Sequence, residues 1–496
     1  MPWIAQCARL LLRCDVSAAG TRKRDFAGRL TASRQRAMIA KRIGTRCGIR
    51  SRLASFAAFR ATNSPLARFY PPGLSRQRFP LRSASRLLSG RCSPFVSCLR
   101  EAPLPASTIS RRTRAECALL LVLSLSVFFV GTGEFMLSAM LAPLGAAFGA
   151  DTARVAWLVS AYALAYAIAA PLLGKLADRV TRGRLLCLAL LAFAIDGLGI
   201  AFSPELGVAI GLRVFGGLAS AIIIPSAFAL VAEQVPRARH ASAMGAVMLG
   251  MTLGIAFGPA MAGSLTAWAG WRTPFLANSA GCLLVLLLGV RRLSINHAPP
   301  CVSPDPGSWR WLRIASITRP LLAKGIWNGT AVSAFLLSGE VLRRRHGFDD
   351  SRLGLSMSVF GIGLGIGNLA AGRLRKLAGG EERALRTVVI VLLVSVLAFH
   401  AWPLPLAAAL ACLAAWGAAL GVGAPLATTV LAERSSGDKG TVLASAETLN
   451  NLVILALVPL ASLLSARGHA MLATALFAAG IGAGAALTWH DARAAR

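Results

Sequence analysis

Acidic side chains are scarce in this 496-residue sequence: 20 Asp and Glu stand against 53 Lys and Arg. Charge of either sign is missing from long stretches. From Thr387 to Ala432, 46 consecutive residues include no Asp, Glu, Lys or Arg. Cysteines at metal-ligand or redox spacing are missing too. Cys7, Cys14, Cys47, Cys92 and Cys98 lie in the first hundred residues, the other five are scattered singly, and no CxxC occurs. That excludes a zinc ribbon, a thioredoxin-like centre and a disulfide scaffold. No Walker A spacing, HExxH or nucleophile–base pairing is present, which argues against ATP drive and against an enzyme. What the chain does have is apolar residues, 55% of the total. A soluble core cannot absorb so many apolar runs, whereas a bilayer can. The sequence reads as an integral membrane protein.

Basic charge concentrates at the start. Residues 1–110 hold 21 Lys and Arg against Asp15, Asp25 and Glu101, and contain no apolar stretch long enough to span. Arg9 and Arg13 interrupt the early apolar run, so a secretory signal is not expected. A solvated, disordered arm (or a stretch upstream of the true start), an organellar transit peptide and a nucleic-acid-binding arm remain open readings. The arm is assigned no function, and no nucleic-acid partner is expected.

Apolar runs of spanning length recur from Cys117 to Trp489, separated by short charged or Gly/Pro punctuation. They predict an all-α membrane protein of twelve transmembrane helices, near 117–140, 153–173, 185–202, 206–231, 242–265, 273–290, 320–340, 353–372, 387–401, 404–430, 441–465 and 469–489. The expected organisation is an arm (1–110), a six-helix bundle (111–292), a cytoplasmic linker (293–318), a second six-helix bundle (319–490) and a short tail (491–496). Placing both termini in the cytoplasm gives the inner segments 24 Lys and Arg and the outer loops seven, with Arg213 inside a helix. One cluster, Arg343-Arg344-Arg345, falls on the outer side against that trend. Pro171-Leu-Leu-Gly174-Lys-Leu-Ala-Asp178-Arg179 has a weak echo in Leu369-Ala-Ala-Gly372-Arg-Leu-Arg-Lys376-Leu377 at the same place in the second half. Two related halves suit a transporter that rocks one against the other around a midplane site.

Four stretches then carry a resemblance. They are Gly131-Thr132-Gly133-Glu134-Phe135, Gly174-Lys-Leu-Ala-Asp178-Arg179-Val-Thr181-Arg182, Arg213-Val-Phe-Gly216-Gly217 with Ala219-Ser-Ala221, and Gly254-Ile-Ala-Phe-Gly258-Pro259-Ala-Met-Ala262-Gly263. With Trp271-Arg272-Thr-Pro-Phe275 after them, they resemble the major facilitator superfamily, and within it the bacterial twelve-helix drug:proton antiporters and sugar-efflux permeases. The sequence departs from that pattern at Thr181, Gly183 and Gly216, and Lys376 replaces the acid aligned with Asp178. The resemblance implies a conformational gate at Gly174, Asp178, Arg179 and Arg182; on physical grounds Arg179 can pair there with an acid such as Glu233. It also implies a helix-packing motif at Gly254, Gly258, Pro259 and Gly263.

Ionisable groups inside spans are costly and mark function by default. Glu134, Arg213, Asp196 and Glu447 are therefore the expected proton-coupling residues. Asp196 stands near the outer end of its helix, where an interfacial position is the competing reading, and Glu447 lies near Asn450 and Asn451. Glu340 reads as a cap at the outer end of the seventh helix. Tyr162, Tyr166, Trp327 and Asn328 are weak choices for a substrate cavity, since plain packing explains each as well. The expectation is a monomeric secondary transporter of the bacterial inner membrane, without cofactor, exporting a small molecule in exchange for protons. A proton symporter or facilitator for sugars or nucleosides, and a receptor without flux, are the alternatives.

Overall fold

Hydrocarbon offers backbone N–H and C=O groups no partner, so apolar runs close their hydrogen bonds internally, as helices. The computed structural model describes residues 106–177, 181–293, 309–435 and 439–494, and the described residues form helices without a strand. The basic arm before Ala106 lies outside them. The first half comprises α1 (Ala106–Phe135), α2 (Leu137–Phe148), α3 (Thr152–Val155), α4 (Trp157–Ala177), α5 (Arg182–Ala201), α6 (Leu206–Gln234), α7 (His240–Ala269) and α8 (Thr273–Leu293). The second comprises α9 (Ala315–His346), α10 (Asp350–Ala378), α11 (Glu381–Ala401), α12 (Leu406–Arg434), α13 (Lys439–Ala466) and α14 (Ala470–Ala494). With α1–α2 and α3–α4 each counted as one crossing, there are twelve among the described residues. Eleven are long and apolar enough to cross a membrane by composition alone. The twelfth, α9, is long enough at 32 residues but carries Lys324 and Asn328 in its length.

The two halves repeat each other down to their turns. α2 ends on Gly149 (φ 60°, ψ 34°) and α9 ends on Gly347 (φ 61°, ψ 34°), left-handed caps that only glycine adopts without strain. Two residues later, Asp151 and Asp349 cap the next helix, each accepting from the backbone N–H three residues on at 2.8 Å. Packing repeats as well: α1 on α7 and α8 corresponds to α9 on α13 and α14, and α4 and α5 on α6 to α10 and α11 on α12. Between halves the matching contacts are α7 with α10 and α4 with α13.

Two limits differ from the sequence reading. α1 begins inside the predicted arm and α9 inside the predicted linker, because a helix that leaves the bilayer keeps its hydrogen bonds in polar surroundings. The Arg343–Arg345 cluster also gains a physical account. Arg343 pairs with Asp350, Arg344 with Glu340, and Arg345 donates to the carbonyls of Phe399, His400 and Trp402 at the C-terminal end of α11. Three charges that break the inside–outside trend thus serve as ion pairs and a helix cap. Glu340 is not a terminal cap, since α9 runs on to His346.

The halves meet along a glycine seam. Both chain ends of the helical body emerge on one face, the terminal side; the opposite face is the far side. Near the far side, a Cβ on Gly263 would strike the Asp350 carbonyl, one on Gly354 the Pro259 carbonyl, and one on Gly339 the Ser138 carbonyl. At mid-height Gly361 lies against the Ala256 backbone, and Asn368 donates to the Thr252 hydroxyl at 3.1 Å. Phe335 and Phe360 stack at 3.8 Å with Phe135 of the first half 5.9 Å from Phe335. Closer to the terminal side, Gly245 and Gly372 have nothing within 4 Å of a would-be Cβ. The seam is closed at the far side and parts towards the terminal side. Gly354→Val should hold the far side apart. In a background stripped of other cysteines, Ser138→Cys is then expected to react faster with a membrane-impermeant maleimide than in the Gly354 protein.

Candidate functional site

Three polar positions on three helices of the first half converge. Glycines Gly131 and Gly133 end the straight run of α1 beside Glu134, just before the break at Met136. Arg213 of α6 donates from Nη1 to Asp196 Oδ2 of α5 at 2.7 Å, and from Nη2 to the Gly133 carbonyl at 3.3 Å. Its guanidinium carbon lies 4.8 Å from the Tyr162 ring centroid, a cation–π contact from α4. Arg213 and Asp196 are each 2% exposed, so neither snorkelling of the arginine nor an interfacial aspartate describes them. The position near the helix end misleads because α5 is tucked behind α6 and α8. Gly216, where the family often has a larger polar residue, stands one turn after Arg213. A Cβ there would land on the Asp196 carboxylate, so the sequence departure makes room for the ion pair.

Glu134 is half-buried and has no ion pair among the described residues. Its electrostatic neighbours are Arg213, Glu447 of the second half and the Tyr162 phenol. The second half brings a matching cluster. Lys324 of α9, 5% exposed, donates to Glu447 Oε1 of α13 at 2.7 Å, while Glu447 is 40% exposed. One turn on, Asn328 Nδ2 donates to Asn450 Oδ1 at 2.8 Å, and Asn451 Nδ2 to the Glu447 carbonyl at 3.0 Å. Tyr166 of α4 lies in the fields of both Glu134 and Glu447. Thr448 Oγ1 donates to the Ala167 carbonyl at 3.4 Å, holding α13 to α4 beside it.

The remaining expected residues divide. Asp178 and Arg179 lie outside the described residues, and Gly174 is described only as part of α4. Arg182 takes Glu233 at 2.9 Å, the acid that the sequence reading assigned to Arg179. Gly254 and Gly258 face the α1 backbone at Phe128 and Thr132, while Gly263 and the Pro259 carbonyl face α10. The motif therefore seats α7 between its own half and the other. Asn328 and Tyr166 are half-buried beside the ionisable cluster. Tyr162 is packed in the first half under Arg213, and Trp327, 1% exposed, fills the core of the second half beside Gly423 and Gly484. Trp327 is thus a core residue of the second half, where it also borders a small cavity with Lys324.

Lys324 escaped sequence reasoning. The helix expected near 320–340 left Lys324 in its first turns, at the polar edge. With α9 starting at Ala315, Lys324 is nine residues in, roughly 14 Å along at 1.5 Å per residue. The apolar and small residues on both sides of Ser316–Arg319 were the signal that the helix begins earlier.

Two six-helix halves related by an internal repeat, with ionisable side chains where they meet, define a secondary transporter of the alternating-access class. The sequence profile of the Major Facilitator Superfamily matches residues 123–456, and the chain belongs to that family. It is 27% identical over 259 residues to the uncharacterized MFS-type transporter YceJ of Bacillus subtilis, covering 51% of this chain and 65% of that protein. It is 27% identical over 258 residues to a chloramphenicol resistance protein of Streptomyces lividans, covering 51% of this chain and 66% of that one. The alignments thus span slightly less than two thirds of these relatives. The crystal structure of the nucleoside transporter NupG, a point mutant, superposes with a TM-score of 0.62 at 13% identity, covering 75% of this chain and 99% of that one. As a member of that family the chain is a multi-pass membrane protein.

Breaking a buried ion pair from one side strands a charge at a cost of about 3–5 kcal/mol. Asp196→Ala should therefore lower the melting temperature of the detergent-purified protein well below that of Arg213→Met/Asp196→Ala, and Gly216→Ala should reproduce part of the loss.

Proposed function

We propose that the chain exports a small, drug-like molecule or metabolite in exchange for protons. The observation that carries this reading is Glu134, a half-buried carboxylate without an ion-pair partner among the described residues, in the fields of both Arg213 of the first half and Glu447 of the second. A charge in such a setting is costly, so the group is stable when it holds a proton or when it faces a cationic or hydrogen-bonding ligand. One carboxylate serving two occupants in turn is what antiport requires.

The terminal side is read as cytoplasmic, from the excess of Lys and Arg on it, and the membrane as the inner membrane of a bacterium. The seam then is closed outside and parts inside. Substrate enters from the cytoplasm, Glu134 gives up its proton there, and the loaded protein closes inside and opens outside. Binding of an external proton at Glu134 releases the substrate and lets the empty carrier return. Arg213, held by Asp196 and the Gly133 carbonyl, keeps a fixed positive charge beside Glu134 and so favours proton release once substrate approaches. The proton gradient is the energy source, no cofactor takes part, and a monomer suffices. The likeness to the chloramphenicol resistance protein supports export of compounds of that kind.

A second reading, uptake of hydroxylated solutes with protons, draws on the Asn328–Asn450 pair beside the cluster and on the fold shared with the nucleoside transporter. Direction separates the two. In liposomes with the protein inserted in known orientation, substrate moving against the proton flow supports export, and substrate moving with it supports symport. Glu134→Gln should abolish pH-driven movement while leaving substrate exchange between the two sides intact. Unchanged pH-driven movement in that variant removes Glu134 from the mechanism.

A further inference from the structure

Lys324 lies between two groups of acids. Towards the cluster shared by the halves it holds Glu447, which is 40% exposed while Lys324 itself is 5% exposed. Behind it, within the second half, lies a cavity of ≈ 20 Å³, room for about one water molecule. Its polar walls include Lys324, Thr488, Glu382 and Asp491, with Ala427 on the apolar side. Glu382 and Asp491 are bridged by Arg434, which donates to Glu382 Oε1 at 2.6 Å and to Asp491 Oδ2 at 2.7 Å. The cluster therefore holds three acids, Glu447, Glu382 and Asp491, against two bases, Lys324 and Arg434. When all are ionised it is one positive charge short. The missing charge would complete the cluster at Glu447, the acid open to the other half, where Glu134 of α1 and Tyr166 of α4 face it.

We propose that Lys324 is an internal stand-in for the cationic centre of the substrate: it occupies Glu447 in the empty carrier and withdraws into the cavity lined by Glu382, Asp491 and Thr488 when a monocationic ligand takes its place. This rests on the export reading for its substrate and names the class: amphiphiles with one positive centre. Three features support the exchange. Glu447 is the exposed partner, so a ligand meets it first. The ammonium of Lys324 stands on a flexible four-carbon stem with space and acceptors behind it. The displaced lysine arrives among two carboxylates that share a single arginine, so its charge stays compensated throughout. A hydrophobic cation at Glu447 also has Tyr166 nearby, an aromatic neighbour that favours positive charge.

Competition from within reduces apparent affinity in proportion to the time Glu447 is free. With the full chain in detergent, tetraphenylphosphonium, a permanent monocation, is the probe for equilibrium dialysis, and neutral chloramphenicol the control. Lys324→Met and Lys324→Gln should each tighten tetraphenylphosphonium binding about tenfold, as expected if Glu447 is free about one tenth of the time, without changing chloramphenicol binding. Glu447→Gln should weaken it, and Lys324→Met/Glu447→Gln should match Glu447→Gln. Ala427→Leu, which fills the space behind the lysine, should weaken binding of the cation while Lys324 is intact. Equal or weaker cation binding in both Lys324 variants, with melting curves showing folded protein, overturns the proposal. If neither variant folds, unchanged binding in Ala427→Leu overturns it and weakened binding supports it. Absence of proton-driven efflux with this binding pattern intact would instead refute export and leave the exchange standing.

Discussion

A charge inside hydrocarbon persists only if another charge or a polar cavity receives it. That constraint organises the centre of this protein. Arg213 is spent on Asp196 and Lys324 on Glu447, both at 2.7 Å. Glu134, between them, is left over. The buried Arg213–Asp196 pair ties α6 to α5 and, with the Lys324–Glu447 pair, sets the field around that carboxylate, while Glu134 retains the freedom to change its occupant. Removing either pair would alter the field before it altered the fold. The chemistry of coupling is therefore built from the acid that structure does not consume.

The second constraint is that the halves must close tightly yet part again. Glycine supplies this at Gly263, Gly354, Gly361 and Gly339, where backbones of opposite halves touch without side chains between them. Such contacts gain dispersion over a large area and interlock little. Larger apolar side chains in these places would knit the halves into one core. Near the far side the seam is reinforced by the Phe135, Phe335 and Phe360 rings, so the layer that blocks passage sits just beyond Glu134 along the chain. Gating and coupling are neighbours in sequence and in space.

Much of the architecture was legible in the chain itself. Charge-free runs gave the helices, and the motif glycines pointed to α7 as a close-packing element. Glu134 and Arg213 were conspicuous because ionised groups in apolar runs are rare. Their geometry was not legible. Asp196 looked interfacial because depth was counted along one helix, while burial depends on which neighbours cover it. Lys324 looked like an end residue because its helix was expected to start near residue 320. Trp327 was a weak choice for the substrate cavity, and it fills the core of the second half. Gly216 read as a departure from the family pattern, though a side chain there would meet the Asp196 carboxylate. Each error arises where a property belongs to a pair of helices and sequence shows one at a time.

The most direct measurement is the proton balance of ligand binding. Purified protein in weakly buffered detergent near neutral pH is mixed with tetraphenylphosphonium, and the proton released is followed with a pH indicator. The account predicts release that saturates with binding and disappears in Glu134→Gln while the cation still binds. Saturable binding with no proton released from the Glu134 protein, or release undiminished in the variant, would contradict it.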